Sequence, residues 1–203
     1  MAGLPEDYTL RAARNEDGPA ITALIYEILR EYGLPPDPEN TDQGLDRVEE
    51  YFDLFEVIEA PGQGIIATLG LISRDPSRRR LQRLLKMRGA TRREAGKLPC
   101  KPDRASAHMR RPAGGATRRE AKEDKICELV KMFVHPSQRG KGLGQFLLDR
   151  AIEQAKLMGF TVMELETASV LKEAIGLYRK AGFTETDSGP HAKRCDITMV
   201  RSL

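Results

Sequence analysis

The chain has 203 residues, 40% of them hydrophobic, with 33 Lys and Arg against 30 Asp and Glu and a formal net charge of +3. That is enough for one domain with a full core, and no apolar run nears the roughly 20 residues that cross a bilayer. The first residues lack the basic and apolar stretches of a signal peptide. Cys100, Cys127 and Cys195 have no metal-ligand spacing and the three histidines are scattered, so a cytoplasmic protein with free thiols and no metal is expected.

Residues 8–14 read as a short first strand. Asn15 or Asp17 is placed to cap a helix starting near Pro19, with Ile21, Leu24, Ile25, Ile28 and Leu29 at helical spacing and Gly33 as its stop. Pro35, Pro36 and Pro38 break the chain, and Thr41 or Asp42 is placed to cap a shorter helix running through Tyr51. Residues 55–60 and 65–72 read as a hairpin across the turn 61–64. Ile126–Val134 is a further strand, leading through a glycine-rich turn into a long amphipathic helix that carries Leu143, Phe146, Leu147, Ile152 and Ala155 and ends at Gly159. Residues 160–166 alternate like a strand, 170–180 form a second helix closed by Gly182, and 183–186 and 196–200 complete the sheet. Strands interleaved with helices, with an early antiparallel hairpin, give a mixed α/β sheet.

Residues 74–122 do not follow this pattern. They hold 17 of the 33 Lys and Arg residues and only four acids, a net charge of +13 that leaves −10 for the rest of the chain. Residues 89–95, Gly-Ala-Thr-Arg-Arg-Glu-Ala, recur letter for letter at 115–121, a local duplication too short for a solenoid. Apolar side chains are scarce, so disorder is the expectation, except that Leu81, Leu84 and Leu85 share one face of a basic amphipathic helix of about three turns before Gly89. Nucleic acid, an acidic membrane surface or an acidic partner suits such a charge, although the segment has no aromatic residue for base stacking. The favoured reading is a tolerated hairpin insertion lying against its own acidic body.

The turn itself carries chemistry. Arg139, Gly142 and Gly144 stand as R-x-x-G-x-G, with Gly140 between, and glycines at a strand-to-helix junction let backbone approach a ligand closely. The next helix points its free N–H groups and positive dipole end into the turn, which favours a phosphate. Further on, residues 174–183 read A-x-x-L-Y-x-K-x-G-F, ending in Gly182 and Phe183. With these two motifs in this order, joined by helix, strand and helix, the sequence resembles the GNAT superfamily of acetyl-CoA-dependent N-acetyltransferases. The resemblance covers residues 8–73 and 125–203, its specific motifs lying in the last eighty or so.

The resemblance implies a mixed, mostly antiparallel central sheet flanked by helices. It implies one N-acetyltransferase domain over 1–203, with 74–122 inserted in the hairpin before the cofactor-binding strand. It also implies transfer of acetyl from acetyl-CoA, as co-substrate and without a metal, to a primary amine by direct attack. Met132, Phe133 and Val134 then lie beside the pantetheine arm on a strand that splays from its neighbour. The amides of Arg139, Gly140, Lys141, Gly142, Leu143 and Gly144 hold the pyrophosphate, with Arg139 and Lys141 adding charge. Tyr178 matches the tyrosine that donates a proton to the coenzyme A thiolate, and Glu128 is the first choice of general base, acting through water, ahead of Glu164 and Glu166. Leu171 stands where family members often carry asparagine, so that contact to the cofactor is either missing or supplied elsewhere, by Thr167 or Ser169. The loop 190–196, with His191, Lys193 and Arg194, is either a contact for an acceptor carboxylate or a solvated hairpin tip, the second being preferred. The acceptor is a small molecule or a protein, and a homodimer stays open. Two other readings remain: a non-catalytic acyl-CoA-binding module, and a domain tethered to nucleic acid or acidic partners by its basic insert.

Overall fold

The computed structural model describes residues 3–75 and 124–203. The duplicated heptapeptide and the expected basic helix lie outside the described residues. In chain order the elements are β1 (Thr9–Ala12), α1 (Gly18–Glu31), α2 (Val48–Tyr51), β2 (Leu54–Ala60), β3 (Gly64–Ser73), β4 (Ile126–Val134), α3 (Leu143–Leu157), β5 (Val162–Thr167), α4 (Lys172–Lys180), β6 (Thr184–Thr186) and β7 (Ile197–Ser202). The seven strands form one sheet in the order β1-β2-β3-β4-β5-β7-β6. Every neighbouring pair is antiparallel except β4 and β5, so the sheet is mixed and mostly antiparallel, as expected.

The helices form where the apolar spacing puts them, and that spacing also decides which face they cover. Ile21, Leu24, Ile25, Ile28 and Leu29 of α1 are all buried, and Ile21, Ile25 and Leu29 pack with Val48, Phe52, Phe55 and Val57 on one face of the sheet. On α3, Leu143, Leu147, Leu148, Ala151, Ile152 and Ala155 make a period of about 3.6 and cover the opposite face with Tyr178 of α4. Leu147 is fully buried, so truncating it to alanine should cost roughly 2–5 kcal/mol. Helices α1, α3 and α4 end alike: the residue after the stop glycine donates back to the carbonyl five positions earlier, as in Phe160 N to Ala155 O at 3.0 Å.

Two capping expectations change. Asp17 does precede α1, but its carboxylate accepts from the Arg14 amide and the Arg11 guanidinium rather than capping the helix. The helix expected from Thr41 or Asp42 shrinks to Val48–Tyr51. Asp42 is drawn away by two buried cations, and residues 39–46 run as turns.

Two irregularities in β4 shape the rest of the molecule. Its parallel ladder with β5 stops at Leu129 opposite Leu165, while β5 continues along β7 to Thr167. Among the described residues, β4 therefore has no partner strand on that side from Val130 onward, and the sheet parts. On the other side the register with β3 slips between Thr68–Phe133 and Gly70–Val130, a bulge with one extra residue in β4. Lys131 absorbs it at φ 54°, with Thr68 Oγ1 donating to the Lys131 carbonyl at 2.6 Å. Ser73 of β3 pairs with Cys127 of β4, so 76–123 fall in the connection between two adjacent antiparallel strands.

Candidate functional site

The parting of β4 from β5 opens a cleft of about 950 Å³. Met132, Phe133 and Val134 line one wall, Thr167 and Ala168 the facing end of β5, and Ala174, Leu177 and Tyr178 of α4 lie across from them. Beyond Val134 the chain makes a short 3-10 turn, Pro136–Gln138, and enters the glycine run.

That run is built for close approach. Gly140 and Gly142 have φ of 77° and 82°, a region where any Cβ is strained. Gly142 is the N-cap of α3, and the helix's first bond runs from Phe146 N to Gly142 O at 3.0 Å. The amides of Leu143, Gly144 and Gln145 are thus left without helical acceptors at the positive end of the helix dipole. Gly140, Gly142, Leu143 and Gly144 all line the cleft. Arg139 lines it too, but its guanidinium forms a two-pronged pair with Glu31 at 2.6 and 2.8 Å and lies over the Tyr32 ring. Lys141 turns toward Gln138 and Tyr8 (2.7 and 3.4 Å). An anion arriving here meets backbone amides first.

Tyr178 is 7% exposed and packs near Phe183. Burial, with a smaller push from Cys195, raises its phenol well above the usual tyrosine value, so it keeps its proton. Cys195 lines the same cleft and is a neutral thiol, pushed up to about 11 by burial and then by Glu166.

Three carboxylates gather near the start of the cleft around Arg74, whose Nε is 3.4 Å from both Glu128 and Glu164 and whose Nη2 is 3.6 Å from Glu166. Their surroundings differ. Burial raises the Glu128 carboxyl above its ordinary value; Arg74 opposes this, and Glu166 and Glu164 add to it. Burial pushes Glu166 the same way, but the His191 and Ala192 amides and the His191 ring hold it below its ordinary value. Glu128 and Glu166 line the cleft, whereas Glu164 does not.

A second charged group was missed by sequence reasoning. Asp42, with a fully buried side chain, accepts from Lys131 Nζ at 2.5 Å and from both Nη atoms of Arg194 at 2.6 and 2.8 Å. Burial disfavours its charge, but the Arg194 and Lys131 bonds outweigh that and hold it down to about 2. Arg194 is therefore no solvated tip: its side chain is 10% exposed, against 80% for His191 in the same loop.

The expected site residues therefore converge on the cleft, apart from the Lys141 side chain. Thr167 is buried and lines it, whereas Ser169 is exposed and its amide is taken by Asp196 at 2.7 Å. Leu171 lines the cleft as the N-cap of α4. Among the described residues, no group of three or more His, Cys, Asp or Glu side chains is arranged to hold a metal ion, and no helix is long and apolar enough to cross a membrane.

Residues 104–183 match the model of the acetyltransferase (GNAT) family. An uncharacterised N-acetyltransferase of Escherichia coli, YjgM, is 31% identical over 207 aligned positions that cover 98% of this chain and 97% of the relative. An IAA acetyltransferase of Azospirillum brasilense is 41% identical over 63 residues, 31% of this chain and 40% of that one. In the solved structure of a Streptococcus agalactiae acetyltransferase, the fold superposes with a TM-score of 0.67 at 17% identity, covering 98% of this chain and all of that one. A GNAT phosphinothricin acetyltransferase from Sinorhizobium meliloti, solved in complex with AcCoA, gives 0.57 at 17% identity, covering 97% of this chain and 89% of that one.

Proposed function

The chain belongs to the GNAT family of acetyltransferases, and from that premise we propose that it moves an acetyl group from acetyl-CoA to a primary amine by direct attack within the cleft. The observation that carries this reading is the convergence on one cavity of an amide-lined turn, an unpaired strand edge, a buried phenol and a carboxylate with a raised pKa. Acetyl-CoA supplies an activated thioester; the remaining work falls to groups of this chain.

The turn fits a pyrophosphate. Amides at the start of α3, next to glycines with positive φ, offer donors with no side chain between them and the ligand. The backbone of Met132, Phe133 and Val134, free on the side facing β5, suits pairing with an extended amide-bearing arm. Thr167 stands on the opposite wall.

At the reacting end, Glu128 accepts the amine's proton through a water. Its raised pKa makes it a stronger base near neutral pH than an ordinary glutamate. Glu166 is saturated by the 191–192 amides and Glu164 is off the cleft wall, which leaves Glu128 in that role. Tyr178, still protonated at neutral pH, gives its proton to the departing sulfur as the carbon–sulfur bond breaks, and Glu128's proton returns to it through solvent. The basic segment 74–122 is proposed as an insertion in this same domain. A long connection between paired strands is thermodynamically cheap, because loop-closure entropy grows only with the logarithm of length.

Acceptor-dependent release of coenzyme A thiol across a panel of amines tests the proposal. Tyr178→Phe should slow turnover by about 10²–10⁴-fold with coenzyme A affinity retained. A wild-type protein that binds coenzyme A and acetylates nothing would be an acyl-CoA-binding module instead.

A further inference from the structure

Lys131 and Arg194 take no part in the proton transfers above, yet both lie on the cleft wall. They reach it from different parts of the chain. Lys131 is swung there by the β4 bulge, and Arg194 comes from the loop before β7. Asp42, the carboxylate that joins them, is wholly buried and does not line the cavity. The cavity therefore meets a guanidinium and an amine whose pKa burial lowers, with the carboxylate that both bond behind them.

The donor count leaves a surplus. An ammonium has three N–H donors and a guanidinium five. Lys131 Nζ uses two of its own, on Thr41 O and Asp42. Arg194 uses three, on the two Asp42 oxygens and, at 3.4 Å, on Pro35 O. Asp37 adds a second negative charge felt by Arg194, but its carboxylate takes its side-chain hydrogen bonds from Asn40 and Thr41 at 2.9 and 3.1 Å. A structural tie between the loop carrying Asp42 and the sheet needs one cation. Holding a second at 7–10% exposure adds desolvation, which an anion arriving from the cavity would offset.

The same cavity has an opposite pole. Glu128 lines it three residues before Lys131 on β4, at most roughly 10 Å along the bulged strand. A molecule with an amine at one end and a carboxylate at the other spans that distance with a hydrogen bond at each end. We propose that Lys131 and Arg194 form an anion-binding end of the acceptor site, and that the acceptor is a small free amino acid. Its amine faces Glu128, and its carboxylate completes the hydrogen bonding of the two cations. The inference rests on the acetyl-transfer reading and narrows it to one substrate class.

The test is a set of matched acceptors: the common amino acids, each with its α-amide and its decarboxylated amine, assayed by coenzyme A release. The wild-type protein should favour at least one free acid over its amide and its amine by tenfold or more in kcat/KM, the equivalent of about 1.4 kcal/mol. In Arg194→Gln that ratio should fall toward one, and Arg194→Lys should restore part of it. A role confined to tying the loops together would leave the ratio unchanged. If Arg194→Gln does not fold, the wild-type ratio and Arg194→Lys still decide. Equal or better use of amides and amines overturns the anion subsite while acetyl transfer stands. No transfer to any member of the panel, with coenzyme A still bound, overturns the amino-acid acceptor, while acetyl transfer itself is decided by the wider panel of amines.

Discussion

The turn at residues 139–144 offers a ligand backbone amides held by one short stretch of chain. The other end of the cleft offers charged side chains from several stretches, Arg74, Glu128 and Lys131, Glu166, and Arg194, with Asp42 buried behind them. The first depends on conformation, namely positive φ at Gly140 and Gly142, and is indifferent to the charge of distant residues. The second depends on charge balance among groups far apart in sequence. The two ends should therefore fail differently: a wrong backbone shape should remove cofactor binding and spare the fold, whereas a missing charge should strike the fold first.

The largest effect is expected at Asp42. Asp42→Asn takes from Lys131 and Arg194 the buried carboxylate that both bond, and breaking a buried pair by removing one partner costs about 3–5 kcal/mol. Denaturant unfolding measures it, and a loss below 1 kcal/mol, the range of exposed pairs, would show the cluster to be solvated. The pH dependence gives a second handle. The Asp42 carboxyl is held at about 2 in the fold against an ordinary 3.8. Its contribution is thus present above 3.8 and lost as pH falls through about 2, and the Asn variant should lack that part of the acid destabilisation.

A smaller effect, of a different kind, is expected at Gly142. With φ at 82°, a β-branched side chain is forced into a region it rarely adopts, and its branch stands where backbone meets the ligand. Gly142→Val should weaken coenzyme A binding at least tenfold by calorimetry, about 1.4 kcal/mol. It should leave the acid-dependent stability of Asp42 in place. Unchanged affinity would move the pyrophosphate away from this turn.

The same contrast explains what the sequence disclosed. Glycine spacing and the helical stripes of α1 and α3 are local, so the turn, both helices and the face each covers were legible from residues 18–33 and 140–159. The charged end was not. Asp42 carries the signal of a helix N-cap, and only the folded chain reveals two cations competing for it. Arg74 stands at the edge of the basic segment and looks like part of it, although it sits among Glu128, Glu164 and Glu166. The bulge depends on register with β3, which no single strand encodes. One clue was present, a lone lysine interrupting the apolar run from Val130 to Val134. Its direction could be read only after the bulge was known.

The smallest effect is a shift in pH dependence that isolates the base within the carboxylate group. Burial raises the Glu128 carboxyl and Arg74 pulls it back down, with Glu166 and Glu164 raising it further. Arg74→Met removes the guanidinium that, among the described residues, lowers it, so the folded pKa of Glu128 should rise. Because the base works only when deprotonated, the acid limb of kcat/KM should then move to higher pH. Arg74→Lys, which keeps the positive charge, should move it less. Glu128→Gln should lower the rate and abolish the limb, since nothing then titrates in that role. If the limb instead survives Glu128→Gln and disappears in Glu166→Gln, the base is Glu166. The amides of His191 and Ala192 that hold Glu166 ionised would then be preparing the base, and Glu128 would be its like-charged neighbour.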